Sequence, residues 1–355
     1  MRVLITTDTI GGVWSYAVEL SRGLGVHGVV VELATFGPPP RDAQRAEIAQ
    51  LSNVRLHPST FRLEWMEDPW DDVARGSEWL LDLERAVRPD VVHLNEYARG
   101  ALPWNAPAVV VAHSCVTSWW HCVRGCDPPP AFERYRREVA AGLAAATRVV
   151  APTRAMLDAL RRHYGAGESA RVIYNGRDPF RPRAPRKEPF VLAAGRVWDE
   201  AKNIAALDRI AGDLAWPVFV AGDQTDPEGR RISLRHVHPL GFLPAAELVD
   251  WFERASIYAL PAKYEPFGLS ALEAAIAGCA LVLGDIPSLR ELWSGAALFV
   301  PPDDDGAIRN AIAALIEDPA KLENLARAAR QRAALYSTDR MTSAYVDLYQ
   351  EIRRP

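Results

Sequence analysis

The groups best placed to do chemistry lie in Tyr264-Glu265-Pro266-Phe267-Gly268-Leu269-Ser270-Ala271-Leu272-Glu273, where two carboxylates stand eight residues apart around a proline–glycine turn. Pro266 and Gly268 read as the end of a strand-to-helix connection, with Glu265 on the turn and Glu273 inside the helix that follows. The free N–H groups of Gly268, Leu269 and Ser270 would then face the same cleft as Glu265. A carboxylate suits the two adjacent hydroxyls of a ribose, and a second on the turn suits a sugar hydroxyl. A lone helical glutamate is ordinarily a solvated one, but Glu273 lies in the apolar run LSALEAAIAG, where a charge needs a reason.

Three further segments carry polar groups just after apolar runs. In Gly195-Arg196-Val197-Trp198-Asp199-Glu200-Ala201-Lys202-Asn203, an arginine and a lysine could converge on a diphosphate, one as a planar fork and the other as a point charge. The alternative is a solvated charged loop. In Asp8-Thr9-Ile10-Gly11-Gly12-Val13-Trp14, a glycine pair opens a helix expected over Val13–Leu24. Gly12 would let main-chain N–H groups approach an anion at the helix N-terminus, unless the turn is only a tight connection. In Val111-Ala112-His113-Ser114-Cys115, His113 could bond to a substrate hydroxyl or phosphate, or serve as a hydrogen-bonded structural histidine.

The elements that must hold these groups are short β-branched runs, each followed by a helical stretch. One series is Arg2–Asp8, Val29–Gly37, Val91–Asn95, Ala108–Ser114, Arg148–Thr153 and Val172–Gly176. A second is Phe190–Arg196, Pro217–Asp223, Ile257–Ala262, Ala280–Asp285 and Ala297–Pro302. Apolar residues at consecutive positions, without alternation, suit strands covered on both faces, as in parallel sheets with helical crossovers. Ligands of such sheets bind beyond the carboxyl ends of the strands, where all four segments fall. Helices are expected over Pro69–Val87, Pro128–Ala146 and Thr338–Ile352. Arg177–Pro189, with four prolines and alternating charges, reads as a linker between two doubly wound α/β domains.

Composition bounds the function. The chain has 355 residues, 49% hydrophobic and 24% charged, the balance of a folded protein of about two domains. A net charge of −4 offers no basic grip for nucleic acid. No apolar run reaches the roughly 18 residues of a membrane span, and four cysteines are too few for a disulfide framework, so a cytoplasmic protein with reduced thiols is expected. His113, Cys115, His121, Cys122 and Cys126 lack the paired spacing of a zinc site. Asp303-Asp304-Asp305 contains a D-x-D pattern of the kind that holds Mn²⁺, yet it precedes an alanine-rich helix, where aspartate is an ordinary cap. The aromatics Phe61, Trp65, Trp70, Trp119 and Trp120 could stack on a sugar, rest on lipid or anchor loops. The acidic neighbourhood of the first three disfavours firm membrane attachment. A dinucleotide fingerprint is missing, which weakens an oxidoreductase reading.

In order and position, Gly11-Gly12, His113, Gly195-Arg196, Lys202 and the EPFG-x4-E segment from Glu265 to Glu273 resemble the retaining glycosyltransferases of family 4, which share the GT-B architecture. The resemblance spans nearly the whole chain and implies two Rossmann-like, doubly wound parallel-sheet domains facing a central cleft. Residues 1–177 would form the acceptor-side domain, with 338–355 crossing back onto it, and residues 178–337 the domain for the nucleotide-sugar donor. It also implies roles. Arg196 and Lys202 would neutralise the donor diphosphate, with Gly12 and the amides of Gly268, Leu269 and Ser270 close to it. Glu273 would hold the ribose, Glu265 would contact the transferred sugar as a positioning and charge-stabilising group, and His113 would touch the sugar beside the reacting carbon. The implied reaction moves a hexose from a UDP- or GDP-linked donor to a hydroxyl of a sugar, small-molecule or lipid-linked acceptor, with retention and without a metal or other cofactor. At most weak peripheral membrane contact is implied. A nucleotide-sugar epimerase, or a silent nucleotide-sugar-binding protein, is the alternative.

Three departures from the family pattern stand out. Lys202 comes one residue late after Arg196, Asp223 replaces a glycine after Gly222, and Asn175-Gly176-Arg177-Asp178 carries arginine where the family usually has valine. The last reads as a tolerable change at a linker.

Overall fold

The computed structural model describes residues 1–165, 167, 169–179 and 187–353. Residues 180–186 of the expected linker therefore lie outside the described residues. The chain divides into two compact units, one built from residues 1–121, 125–176 and 338–355, the other from residues 122–124 and 177–337.

The first unit holds seven strands: β1 (Arg2–Asp8), β2 (Val30–Phe36), β3 (Val54–Pro58), β4 (Val91–Leu94), β5 (Ala108–Val111), β6 (Arg148–Ala151) and β7 (Ala170–Val172). They lie in the order β3-β2-β1-β4-β5-β6-β7, and every pairing is parallel. Ile5 pairs with Leu33 on one side and His93 on the other. Helices cover the sheet, so Val3, Leu4 and Ile5 are all buried although their side chains alternate between faces. The aromatics Phe61, Trp65 and Trp70 pack against this core, and Arg134 lies over the Trp70 ring at 4.7 Å. Phe61 and Trp65 thus bury apolar area from their loop, and Trp70 does so from the first turn of the helix Trp70–Val87. Glu64, among them, is buried and accepts the main-chain N–H groups of Tyr97 and Ala98 at 3.0 and 2.8 Å. Burial raises its carboxyl to about 7.

The helix Thr338–Ile352 belongs to this first unit, far from it in sequence. It lies against the helix Gly12–Val26 so closely that a Cβ on Gly23 would come 2.1 Å from the Thr342 hydroxyl oxygen. Its Thr338 hydroxyl donates to buried Glu19.

The second unit holds β8 (Glu188–Ala194), β9 (Val218–Ala221), β10 (His238–Gly241), β11 (Ala255–Leu260), β12 (Ala280–Gly284) and β13 (Leu298–Val300), in the order β10-β9-β8-β11-β12-β13, again all parallel. No described helix is long and apolar enough to cross a membrane.

Differences from the sequence expectations fall mainly at sheet edges. β3 and β10, edge strands of their sheets, have no counterpart in the expected series. Their sequences, VRLHP and HPLG, carry polar residues and proline because an edge has one side open to water. β7, also at an edge, ends at Val172, where the expected strand only begins. The stretch expected as one helix over Pro128–Ala146 is a short 3₁₀ turn at Pro130–Phe132 followed by the helix Glu133–Ala145.

The ends of β8 and β9 approach through Gly222, whose φ is 138° and whose ideal Cβ would sit 1.8 Å from the carbonyl oxygen of Gly195. Gly222→Ala is expected to cost about 2–4 kcal/mol through the clash and the forced φ. A denaturant titration should show the midpoint falling at unchanged m-value, whereas an unchanged midpoint would place no constraint at this approach.

Candidate functional site

In the second sheet the chain runs outward from β8 through β9 to β10, then crosses back to β11. The carboxyl ends of β8 and β11 therefore flank the point where the strand order reverses, the place such sheets bind ligands. Gly195 and Arg196 leave β8, and Glu265 follows β11, so the topology itself brings these segments together.

Beyond β8, Asp199 accepts the Ala201 N–H at 3.0 Å and starts the 3₁₀ turn Glu200–Lys202. Its other carboxylate oxygen accepts Arg196 Nη2 at 2.8 Å, and the guanidinium lies 5.5 Å from the Trp198 ring centroid. Arg196 is thus held by its own loop, with its side chain one-third exposed. Asn203, at φ 57°, donates to the carbonyls of Pro261 and Pro302 at 2.9 and 2.7 Å, which ties this loop to the segments after β11 and β13. The turn aims Lys202 inward. Its ammonium donates to Glu265 Oε2 at 2.6 Å, with the two side chains 13% and 12% exposed. The longer spacer before Lys202 therefore leaves its charge beside the carboxylate of the EPFG turn.

Gly268, at φ 87°, caps the helix Leu269–Ile276 without any side-chain cap, so the first N–H groups of that helix lack intrahelical partners. The Tyr258 hydroxyl lies 2.7 Å from Ser270 Oγ and 3.1 Å from the Ala194 carbonyl oxygen, which draws the start of this helix to the end of β8. Ser288 donates to the main-chain oxygen of Glu265 and steadies the turn. Glu273, buried as its apolar surroundings require, is met by Arg177 Nε at 3.1 Å. Arg177 in turn donates its own N–H to Tyr336 at 3.0 Å. Arg177 is therefore no passive linker residue, and sequence reasoning missed it. Its signal was a charge where the resembling family carries an apolar side chain.

The D-x-D aspartates are engaged elsewhere. Asp304 caps the helix Asp305–Glu317 by accepting the Ala307 N–H at 2.8 Å, Asp305 pairs with Arg209 at 2.6 Å, and Asp303 pairs with Lys263. Among the described residues no group of three or more histidine, cysteine or acidic side chains is arranged to hold a metal.

The first unit has its own reversal point, between β1 and β4. Gly11, at φ 83°, caps the helix Gly12–Val26 beyond β1, and Gly12 is its first residue. His113 follows β5, with its Nε2 2.7 Å from Asn95 Oδ1 and its ring edge-on to Tyr16 at 4.4 Å between centroids. Burial pushes the imidazoles of His113 and of neighbouring His93 down to about 3. Asn95 is a second residue that sequence reasoning missed, and its only signal was its position just past the end of β4.

Two outcomes follow from this geometry. Lys202→Met and Glu265→Gln, combined in a double-mutant cycle, should couple by about 1–3 kcal/mol because the pair is largely removed from water; additive effects would mean that the two charges do not meet. His93 and His113 stay neutral in the fold but take up protons near 6.5 once unfolded. Their contribution to stability is complete above about pH 6.5 and is lost as the pH falls toward 3. Replacing His93 with glutamine should therefore flatten the acid limb of a stability-against-pH curve.

Comparison with known proteins agrees with the geometry. Residues 10–181 match Glycosyltransferase Family 4, and residues 176–332 match Glycosyl transferases group 1. A glycogen synthase of Mycobacterium tuberculosis is 32% identical over 280 residues, which spans 71% of this chain and 66% of that protein. A D-inositol 3-phosphate glycosyltransferase of Streptomyces bingchenggensis is 26% identical over 98% of this chain and 86% of its own length. Among solved structures, sucrose-phosphate synthase from Thermosynechococcus elongatus superposes with a TM-score of 0.81 at 21% identity, covering 99% of this chain and 98% of that one. Anabaena HepE in complex with UDP-glucose superposes at 0.77 and 17% identity, covering 99% of this chain and all of that one. These likenesses show the GT-B type of fold, two parallel-sheet α/β units. With both sequence matches and the placement of the EPFG turn at the reversal point of the second sheet, the chain belongs to glycosyltransferase family 4, the glycosyl transferases group 1.

Proposed function

We propose that this protein transfers a hexose from a UDP- or GDP-linked donor to a hydroxyl acceptor with retention of anomeric configuration. The observation that carries the reading is the Lys202–Glu265 pair at the reversal point of the second sheet, next to the uncapped helix start at Gly268, Leu269 and Ser270. Expelling a nucleoside diphosphate while positive charge develops on the sugar is largely an electrostatic task. Arg196, Lys202 and the helix amides supply positive potential for the departing diphosphate, and Gly12 lets a main-chain approach serve the same group. Glu273 takes the ribose hydroxyls, with Arg177 orienting its carboxylate. Glu265 positions the sugar and stabilises its developing charge, and His113 contacts a sugar hydroxyl. Because cationic side chains and amide dipoles already provide the leaving-group stabilisation, the proposed mechanism uses no metal. The acceptor is a sugar, a small molecule or a lipid-linked glycan. Four cysteines, none of them joined in a disulfide, suit a reducing cytoplasm.

The test is a thermal-shift screen over UDP, GDP and ADP sugars, with UDP-glucose first. A donor at 100 times its Kd should stabilise the fold by about 2.7 kcal/mol. Incubation with that donor should release nucleoside diphosphate together with intact transferred or hydrolysed hexose; release coupled to an epimerised or deoxygenated sugar would instead identify an epimerase. Arg196→Ala and Glu273→Ala should each lower turnover by about 100-fold or more while the protein stays folded. Near-normal turnover in either variant would overturn the site assignment.

A further inference from the structure

The polar groups beneath His113 fix the place of its proton. One heavy atom of the Asn95 amide lies 2.6 Å from the main-chain carbonyl oxygen of Thr6, in β1. A carbonyl only accepts, so that atom is the amide nitrogen, donating. The other is then Oδ1, which also only accepts, and it lies 2.7 Å from His113 Nε2 and 3.2 Å from His93 Nε2. His113 must carry a hydrogen on Nε2 to bond there, and so does His93 when it donates to the same oxygen and does not accept from the Tyr16 hydroxyl. His93 is left with a lone pair on Nδ1, and the Tyr349 hydroxyl donates to it at 2.6 Å.

Tyr349 stands on the helix Thr338–Ile352, 256 residues from His93. Tyr16, on the helix Gly12–Val26, closes the cluster, its hydroxyl 3.3 Å from His93 Nε2. The groups that face the two rings are Thr6 and Asn95 at strand ends, Tyr16 on one helix, and Tyr345 and Tyr349 on the other. All are neutral at pH 7, so none of them balances an imidazolium.

We propose that Asn95 is a positioning residue that fixes His113 as the neutral Nε2–H tautomer, leaving Nδ1 to accept a hydrogen bond from a hydroxyl of the donor sugar. His113 then holds the sugar and does not act as an acid toward the leaving group. The proposal rests on the reading of His113 as a sugar-contacting residue. It extends that reading to a chain of three hydrogen bonds, from the terminal helix through His93 and Asn95, that keeps the ring in one state.

Protein labelled with ¹⁵N-histidine gives the decisive readout, because long-range ¹H–¹⁵N spectra show which nitrogen of each ring bears the hydrogen. In the wild-type protein His113 and His93 should both be Nε2–H and should stay so from pH 8 down to pH 5. Asn95→Leu should give mixed His113 tautomers and lower kcat by about 10- to 100-fold, with KM for the donor within about threefold. If Asn95→Leu does not fold, Asn95→Asp replaces it. A carboxylate at that place should draw a proton onto His113, so that kcat falls on the acid side of pH 7, and a pH-independent kcat would overturn the proposal. So would Nδ1–H on wild-type His113, or wild-type kcat in folded Asn95→Leu. Failure of the wild-type protein to turn over any nucleotide sugar would count against the proposed function alone, since the spectrum decides the tautomer without a substrate.

Discussion

Parallel pairing is the constraint from which the rest of the molecule follows. Every strand in both sheets runs the same way as its neighbours, so every strand must be followed by a crossover that returns the chain to the opposite edge. All strand exits thus fall on one edge of each sheet. Gly12, Asn95 and His113 collect there in the first unit, and Arg196, Lys202 and Glu265 in the second. Where the strand order reverses, two neighbouring crossovers lie on opposite faces and leave a gap, and the polar groups that leave β8 and β11 line it.

Charges at that gap are stored in pairs. Lys202 with Glu265 and Arg177 with Glu273 are each only slightly exposed, and a lone charge so placed would carry a heavy desolvation cost. Pairing lets the second unit keep these charged groups in fixed positions, and the cost of ordering them falls on folding. Arg196 differs. It is braced by Asp199 yet remains one-third exposed, which leaves it accessible to an anion from solvent.

How much of this was legible in the sequence depends on burial. Interior strands such as β1 and β11 announce themselves because both faces are covered and consecutive residues are apolar. The edge strands β3 and β10 do not, since the same covering is absent and polar residues and proline break the run. Among site residues, Glu265 and Glu273 were readable because a charge inside an apolar helix, or on a proline–glycine turn, demands an explanation. Asn95 and Arg177 were not. Their importance lies in what they touch across the fold, and neither a single asparagine past a strand nor an arginine beside a proline-rich stretch signals that contact locally.

The helix Thr338–Ile352 completes the first unit although residues 177–337 of the second unit precede it in the chain. Synthesis on the ribosome delivers the chain from its first residue onward. The second unit has all its residues once Ser337 has emerged, whereas Tyr16 and His93 must wait for Tyr345 and Tyr349. The usual vectorial order is inverted: the domain that begins first finishes last, and a nascent chain halted before the final helix carries one finished lobe and one with its tyrosine-lined face unsealed.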